Sequence, residues 1–139
     1  MARNGLGQVK TDLALISNAR ALVPAMTERA RECERLRRIP DQTVEDFHRA
    51  GLFRAIQPRR IGGSEVQFPV YFKICAEIAR GCASSAWVLT NLASHHWMLT
   101  YWPVEAQDEL WGESADVLIA SGLAFPCGKA SRVAGGYKL

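Results

Sequence analysis

The stretch "SSAWVLTNLASHHWMLTYW", residues 84–102, contains no Asp, Glu, Lys or Arg. A run of that length without a formal charge must leave water, either for lipid or for a protein interior. A membrane span would place Ser84, Ser85, Asn91, His95 and His96 in hydrocarbon at considerable cost. The stretch therefore reads as a buried helix of a soluble protein, with no membrane partner. Ser84, Val88, Asn91 and His95 recur every three or four residues and share one helix face. His96 is turned about 100° away.

Two histidines inside such a helix leave two readings open. One is a core histidine hydrogen-bonded to a backbone carbonyl. The other is a histidine facing a ligand pocket, where it handles a proton near neutral pH. A shared metal is not expected, because zinc pairs on one helix need i,i+4 spacing. Cys75 and Cys82 have no second pair to complete such a site. A nucleophile elbow of the form GxSxG is absent.

The rest of the chain must cover this helix. Residues 11–37 repeat apolar positions at helical spacing, through Leu15, Leu22, Met26, Ala30 and Cys33. Pro24 falls inside this run and should kink or restart it. "IPDQTVEDFHRAGLF" predicts a shorter helix, begun near Pro40 and stopped at Gly51. "RAIQPRRIGGSEVQFP" reads as a loop; its Gly62–Gly63 pair fits no phosphate-binding spacing. Helices follow over 69–80, from about 84 to 101, and from Pro103 to Gly112.

After that the pattern changes. "DVLIASGLAF" is short, apolar and strand-like, and "KASRVAGGYKL" reads as a hairpin around its glycines. Helices followed by strands, without alternation, is an α-then-β order. Residues 1–10 are expected to be flexible, 11–113 to form an all-helical domain, and 114–139 to begin a β-domain. One or two strands make no stable sheet alone, so further sequence is expected downstream.

Residues 1–60 hold twelve Lys and Arg against seven Asp and Glu; residues 61–139 hold five against seven. The basic excess alternates with Glu28, Glu32 and Glu34, which fits a solvated helix face better than a nucleic-acid surface. The cysteines at 33, 75, 82 and 127 form no CxxC pair and follow no secretory signal. Free thiols in the cytoplasm are the expectation.

Several segments, taken in order, carry a resemblance: "RRIGGSEVQFP", "ICAEIARGCASSAWV", "SHHWM", "EAQDELWG" and "LIASGLAFPCGKASRVAGGYKL". Together they resemble the acyl-CoA dehydrogenase superfamily over about residues 11–139, and within it the flavin-dependent monooxygenases that hydroxylate phenols and related aromatics. The dehydrogenases usually carry an Ala-Leu-Thr-Glu-Pro-like strand where this chain has "IASGLAFPCGKA". The monooxygenases typically have a Ser in that strand and then Pro-x-Gly-x-Ala, matched by Ser121, Pro126, Gly128 and Ala130. Gly122 departs from a second Ser often found there. His95 and Trp97 match a His-x-Trp pattern of the same branch.

The resemblance implies a mainly α fold: the N-terminal helical domain of the acyl-CoA dehydrogenase fold, followed by the first strands of its β-domain. It places His95 and Ser121 on the substrate side of a flavin ring, with Ser121 also near the cofactor. His95 would accept or relay the proton of a phenol, and the Ser121 hydroxyl would hold its oxygen. Trp87, Trp97 and Trp102 would help wall out water, and Asn91 would orient His95. The implied cofactor is reduced FMN or FAD, delivered by a flavin reductase and bound only with the complete β- and C-terminal domains. The implied assembly is a homotetramer at full length, and the implied substrate a small aromatic. Two alternatives stay open: an acyl-CoA dehydrogenase N-terminal domain, and a truncated or helical interaction module without chemistry.

Overall fold

The computed structural model describes residues 5–122 and 128–138, with side chains from residue 7 onward. Helix α1 spans Gly5–Leu36, α2 Asp41–Arg49, α3 Phe68–Ala79, α4 Ala83–Leu99 and α5 Val104–Trp111. A hairpin of β1, Ser131–Val133, and β2, Gly136–Lys138, follows.

Helix α1 departs from expectation twice. It begins at Gly5, inside the stretch expected to be flexible, and it runs unbroken through Pro24. An interior proline costs about 3 kcal/mol. Leu15 and Ala19 before it, and Met26 and Cys33 after it, are all buried. Burying a large apolar side chain contributes about 1.5–3 kcal/mol, so a stripe continuing on both sides of Pro24 outweighs the local defect. That stripe packs on α3 and α4. Gly81, in the turn between them, makes the approach possible: a Cβ there would lie 2.6 Å from Met26 Cβ and from the Val23 carbonyl oxygen.

Helix α2 ends where Gly51 adopts φ 74°, and the Leu52 amide reaches back to the Phe47 carbonyl. Phe47 then meets Phe53 edge-on at 5.6 Å. Leu52, Phe53, Ala55 and Ile56 continue the core made by Tyr71, Ile74, Ile78 and Leu89. The buried Tyr71 hydroxyl donates to the Thr90 carbonyl at 2.7 Å, tying α3 to α4. Loop 54–66 is cross-braced by its own backbone: Val66 N to Ala55 O, Glu65 N to Gln57 O and Ser64 N to Arg54 O.

Helix α4 is not buried all round. Ser85, Ala86, Leu89, Ala93, His95, His96 and Leu99 are buried, but Trp87 is 71% exposed. The helix packs chiefly on α3 and α1, with Trp111 of α5 against His96, and these cover only part of its surface. Much of the N-terminal arginine is ion-paired, as in Arg20–Glu77, Arg29–Asp46 and Arg38–Asp41. Among the described residues, no helix is long and apolar enough to cross a membrane.

Residues 114–122 carry no strand ladder, although "DVLIASGLAF" reads as one. A strand is defined by its partner, and none of the described residues pairs with this segment. Residues 123–127, with Pro126 and Cys127, lie outside the described part. The hairpin forms in the expected place: Val133 faces Gly136 and Arg132 faces Tyr137 across a two-residue turn, with Gly135 at φ 83°.

Candidate active site

His95 lies near the C-terminal end of α4, buried and 7% exposed. Its Nδ1 sits 2.6 Å from the carbonyl oxygen of Asn91, one turn earlier. A carbonyl only accepts, so Nδ1 carries the hydrogen. In the neutral ring, Nε2 is then a lone-pair acceptor, and it lies 2.6 Å from Ser121 Oγ. Ser121 donates along that line. This leaves the serine oxygen's own lone pairs free for an incoming donor.

The arrangement has a definite direction. A substrate hydroxyl that donates to Ser121 Oγ is connected through the serine to His95 Nε2. If the imidazole takes up the proton, Nε2 becomes the donor and the serine hydrogen turns outward to the substrate oxygen. The pair can therefore accept a proton and stabilise the anion left behind. Asn91 orients the histidine through its main-chain carbonyl, which also accepts from Ser94 Oγ at 2.8 Å.

His96 faces elsewhere, as a 100° step requires. Its Nδ1 accepts from Trp111 Nε1 at 3.1 Å, and the Gln57 amide nitrogen lies 3.5 Å away. The ring stacks on Trp111 with centroids 5.9 Å apart. Burial pushes its pKa down from 6.5 to about 4, helped by the positive charge of Arg54. His96 is thus a neutral core group, while His95 is the histidine presented to a hydroxyl.

The tryptophans do not join the pair. Trp97 lies two residues past His95, about 200° around the helix. It packs edge-on against Phe68 at 4.9 Å and lines a separate concavity of about 420 Å³ with Ile56, Val66 and Gln107. Trp87 lies two turns back and lines another, of about 670 Å³, with Cys33, Arg37 and Ser84. Neither concavity is lined by His95 or Ser121. Among the described residues, Trp87 and Trp97, expected as an apolar wall, line these two concavities and form no hydrogen bond or ring contact with the pair. Trp102 stands exposed beyond the end of α4. Among the described residues, no group of three or more His, Cys, Asp or Glu could hold a metal ion.

Sequence reasoning missed Gln57 and Trp111, which surround His96, and Arg54 and Asp116, which pair at 2.6 Å. Gln57 lay in a stretch read only as loop, and no periodicity marks it.

The described residues thus form an all-α layer whose fourth helix meets the irregular segment after α5 through His95 and Ser121. The chain belongs to the family described as acyl-CoA dehydrogenase, N-terminal domain, whose profile matches residues 10–114. It is 38% identical over 117 residues to the flavin-dependent monooxygenase, oxygenase subunit HsaA, of Rhodococcus jostii (strain RHA1), covering 84% of this chain and 30% of that protein. It is 31% identical over 132 residues to the FADH(2)-dependent resorcinol hydroxylase, oxygenase component, of Rhizobium sp. (strain MTP-10005), covering 95% and 32%. The solved structure of XiaF from Streptomyces sp., in complex with FADH2 and glycerol, superposes with a TM-score of 0.87 at 26% identity, over 94% of this chain and 33% of that one. The chain thus spans about 30% of the length of the curated relatives it matches.

Proposed function

We propose that this chain forms the N-terminal part of a flavin-dependent oxygenase that hydroxylates a small aromatic compound. Residues 11–113 are its helical domain and 114–139 the opening of its β-domain. The observation that carries the reading is the His95 Nε2–Ser121 Oγ contact of 2.6 Å, with the ring's other nitrogen fixed on the Asn91 carbonyl. Hydroxylating a phenol is easier on the phenolate, whose ring is richer in electrons. The pair is suited to hold that oxygen and take its proton.

The donor set fits a flavin's neighbourhood. Ser121 is exposed on an irregular segment beside a buried imidazole, and a hydroxyl there can meet either a substrate oxygen or the polar edge of a planar ring. Reduced flavin, FMN or FAD, supplies the electrons that split O₂, so that one oxygen enters the ring and the other leaves as water. A flavin reductase is the donor in this reading, and the working assembly is a homotetramer. The buried free thiols Cys33, Cys75 and Cys82 suit a reducing cytoplasm. Nothing in the pair calls for a CoA thioester, which sets the dehydrogenase reading second.

The test is a chimera in which this chain replaces the matching third of the Rhodococcus jostii subunit. Supplied with reduced flavin, O₂ and a panel of phenols, it should yield products one oxygen heavier by mass spectrometry. Oxidation of acyl-CoA thioesters instead, or no reaction from a folded, flavin-binding chimera, would overturn the proposal. The isolated chain, titrated with FMN or FAD, is expected to show no tight binding.

A further inference from the structure

The His95–Ser121 pair joins two segments that share no regular ladder. His95 is on α4, whereas Ser121 is on the irregular stretch after α5. A hydroxyl on such a stretch keeps a 2.6 Å contact only if something fixes the stretch upstream. The structure shows where. The carbonyl of Ala115 accepts from Gln57 Nε2 at 2.7 Å. The carboxylate of Asp116 accepts from Arg54 Nε at 2.6 Å, with His48 Nδ1 3.6 Å away. Asp116 N also bonds to Ser114 Oγ, which tightens the turn.

Gln57 is unusual among these groups. It is a fully buried polar side chain on a loop. Its amide nitrogen faces both the Ala115 carbonyl and His96 Nδ1. His96 is the neighbour of His95 on α4, and Ala115 lies six residues before Ser121. One amide therefore touches both elements that carry the pair. Among the described residues its oxygen has no partner, a cost that the two contacts of its nitrogen help to offset. The platform beneath it is rigid, because loop 54–66 is cross-braced and Gly63 leaves no room for a side chain over the Gln57 carbonyl.

We propose that Gln57, backed by the Arg54–Asp116 ion pair, is the positioning residue that holds Ser121 on His95. This rests on the reading of that pair given above. Gln57 touches neither His95 nor Ser121. It acts by setting the distance between their two backbones, as a second layer of hydrogen bonds commonly does for reacting groups.

The experiment reads the His95 ring nitrogens by ¹⁵N NMR in the full 139-residue chain, with Ser121→Ala defining the signature of a broken pair. In Gln57→Leu the His95 Nε2 signal should move to the Ser121→Ala position, and the amides of residues 115–121 should lose protection from exchange. Asp116→Asn should produce the same loss in part, and Asp116→Glu should restore it. Asp116 is half exposed, so the Asn variant keeps the test alive should Gln57→Leu fail to fold. Leu89→Ala, a core truncation, should lower the unfolding temperature without moving the His95 signal; this separates positioning from general weakening. Folded Gln57 and Asp116 variants with His95 at its wild-type position would overturn the proposal alone. A Ser121→Ala spectrum identical to wild type would overturn the pair itself, and with it the functional reading.

Discussion

Lowering the pH from about 7 to about 5 should weaken this domain through one residue, His96. In the folded chain its ring is 1% exposed, with Nδ1 already accepting from Trp111. A proton added there would displace the Trp111 donor and bring a charge into the core beside Arg54. The folded value is accordingly about 4, against 6.5 for a free histidine. Between those values the unfolded chain binds a proton that the folded chain refuses, so stability rises with pH across the window and is level above it. A pKa lowered from 6.5 to about 4 corresponds to roughly 3–4 kcal/mol in total, of which about 2 kcal/mol should be gone at about pH 5. Against a domain stability of about 5–15 kcal/mol this is easily resolved. Urea unfolding of wild type and His96→Gln across the range is the assay. The variant keeps an acceptor for Trp111 but does not titrate, so its stability should be nearly flat where the wild type falls. The carboxylates held down by arginine, Asp41, Glu77 and Asp116, act in the same direction, but only as pH falls through their own lower values. Parallel losses in wild type and variant between about pH 7 and about 5 would refute the assignment to His96.

Three further outcomes are expected. In the chimera, His95→Gln and Ser121→Ala should each lower hydroxylation about 10²–10⁴-fold, the usual range for a positioned proton-transfer group, while the folded state persists by circular dichroism. Gly63→Ala would drive a methyl into the Gln57 carbonyl; overpacking of this kind costs about 1–3 kcal/mol, read as a lower urea midpoint. Asp46→Ala would strand the mostly buried Arg29 guanidinium, which donates to Asp46 at 2.7 Å. Removing one partner of such a pair costs about 3 kcal/mol or more, so this variant should be among the least stable, and Asp46→Asn intermediate.

What could be read from the sequence is what repeats locally. The helices from Asp41 onward and the glycine turn of the hairpin follow from apolar spacing, Gly51 and Gly135, each a matter of a few neighbouring residues. Pro24 misled because its local rule is sound, yet the buried stripe on both sides of it is set by α3 and α4, which lie more than thirty residues away in sequence. Trp97 is assigned from a His-x-Trp motif and not from geometry, and a step of two residues on a helix puts side chains on nearly opposite sides. The same geometry separates His95 from His96 and lets adjacent, identical residues differ so much in their surroundings. Gln57 had no signature at all. Its role exists only once loop 54–66, α4 and the segment after α5 meet, and a single glutamine between Ile56 and Pro58 announces none of that. A pair of chemically active groups can be suspected from residue type, but the groups that hold the pair in register are defined by long-range contacts. Here those contacts converge on one buried amide, which is why a change at residue 57 should be felt at residue 121.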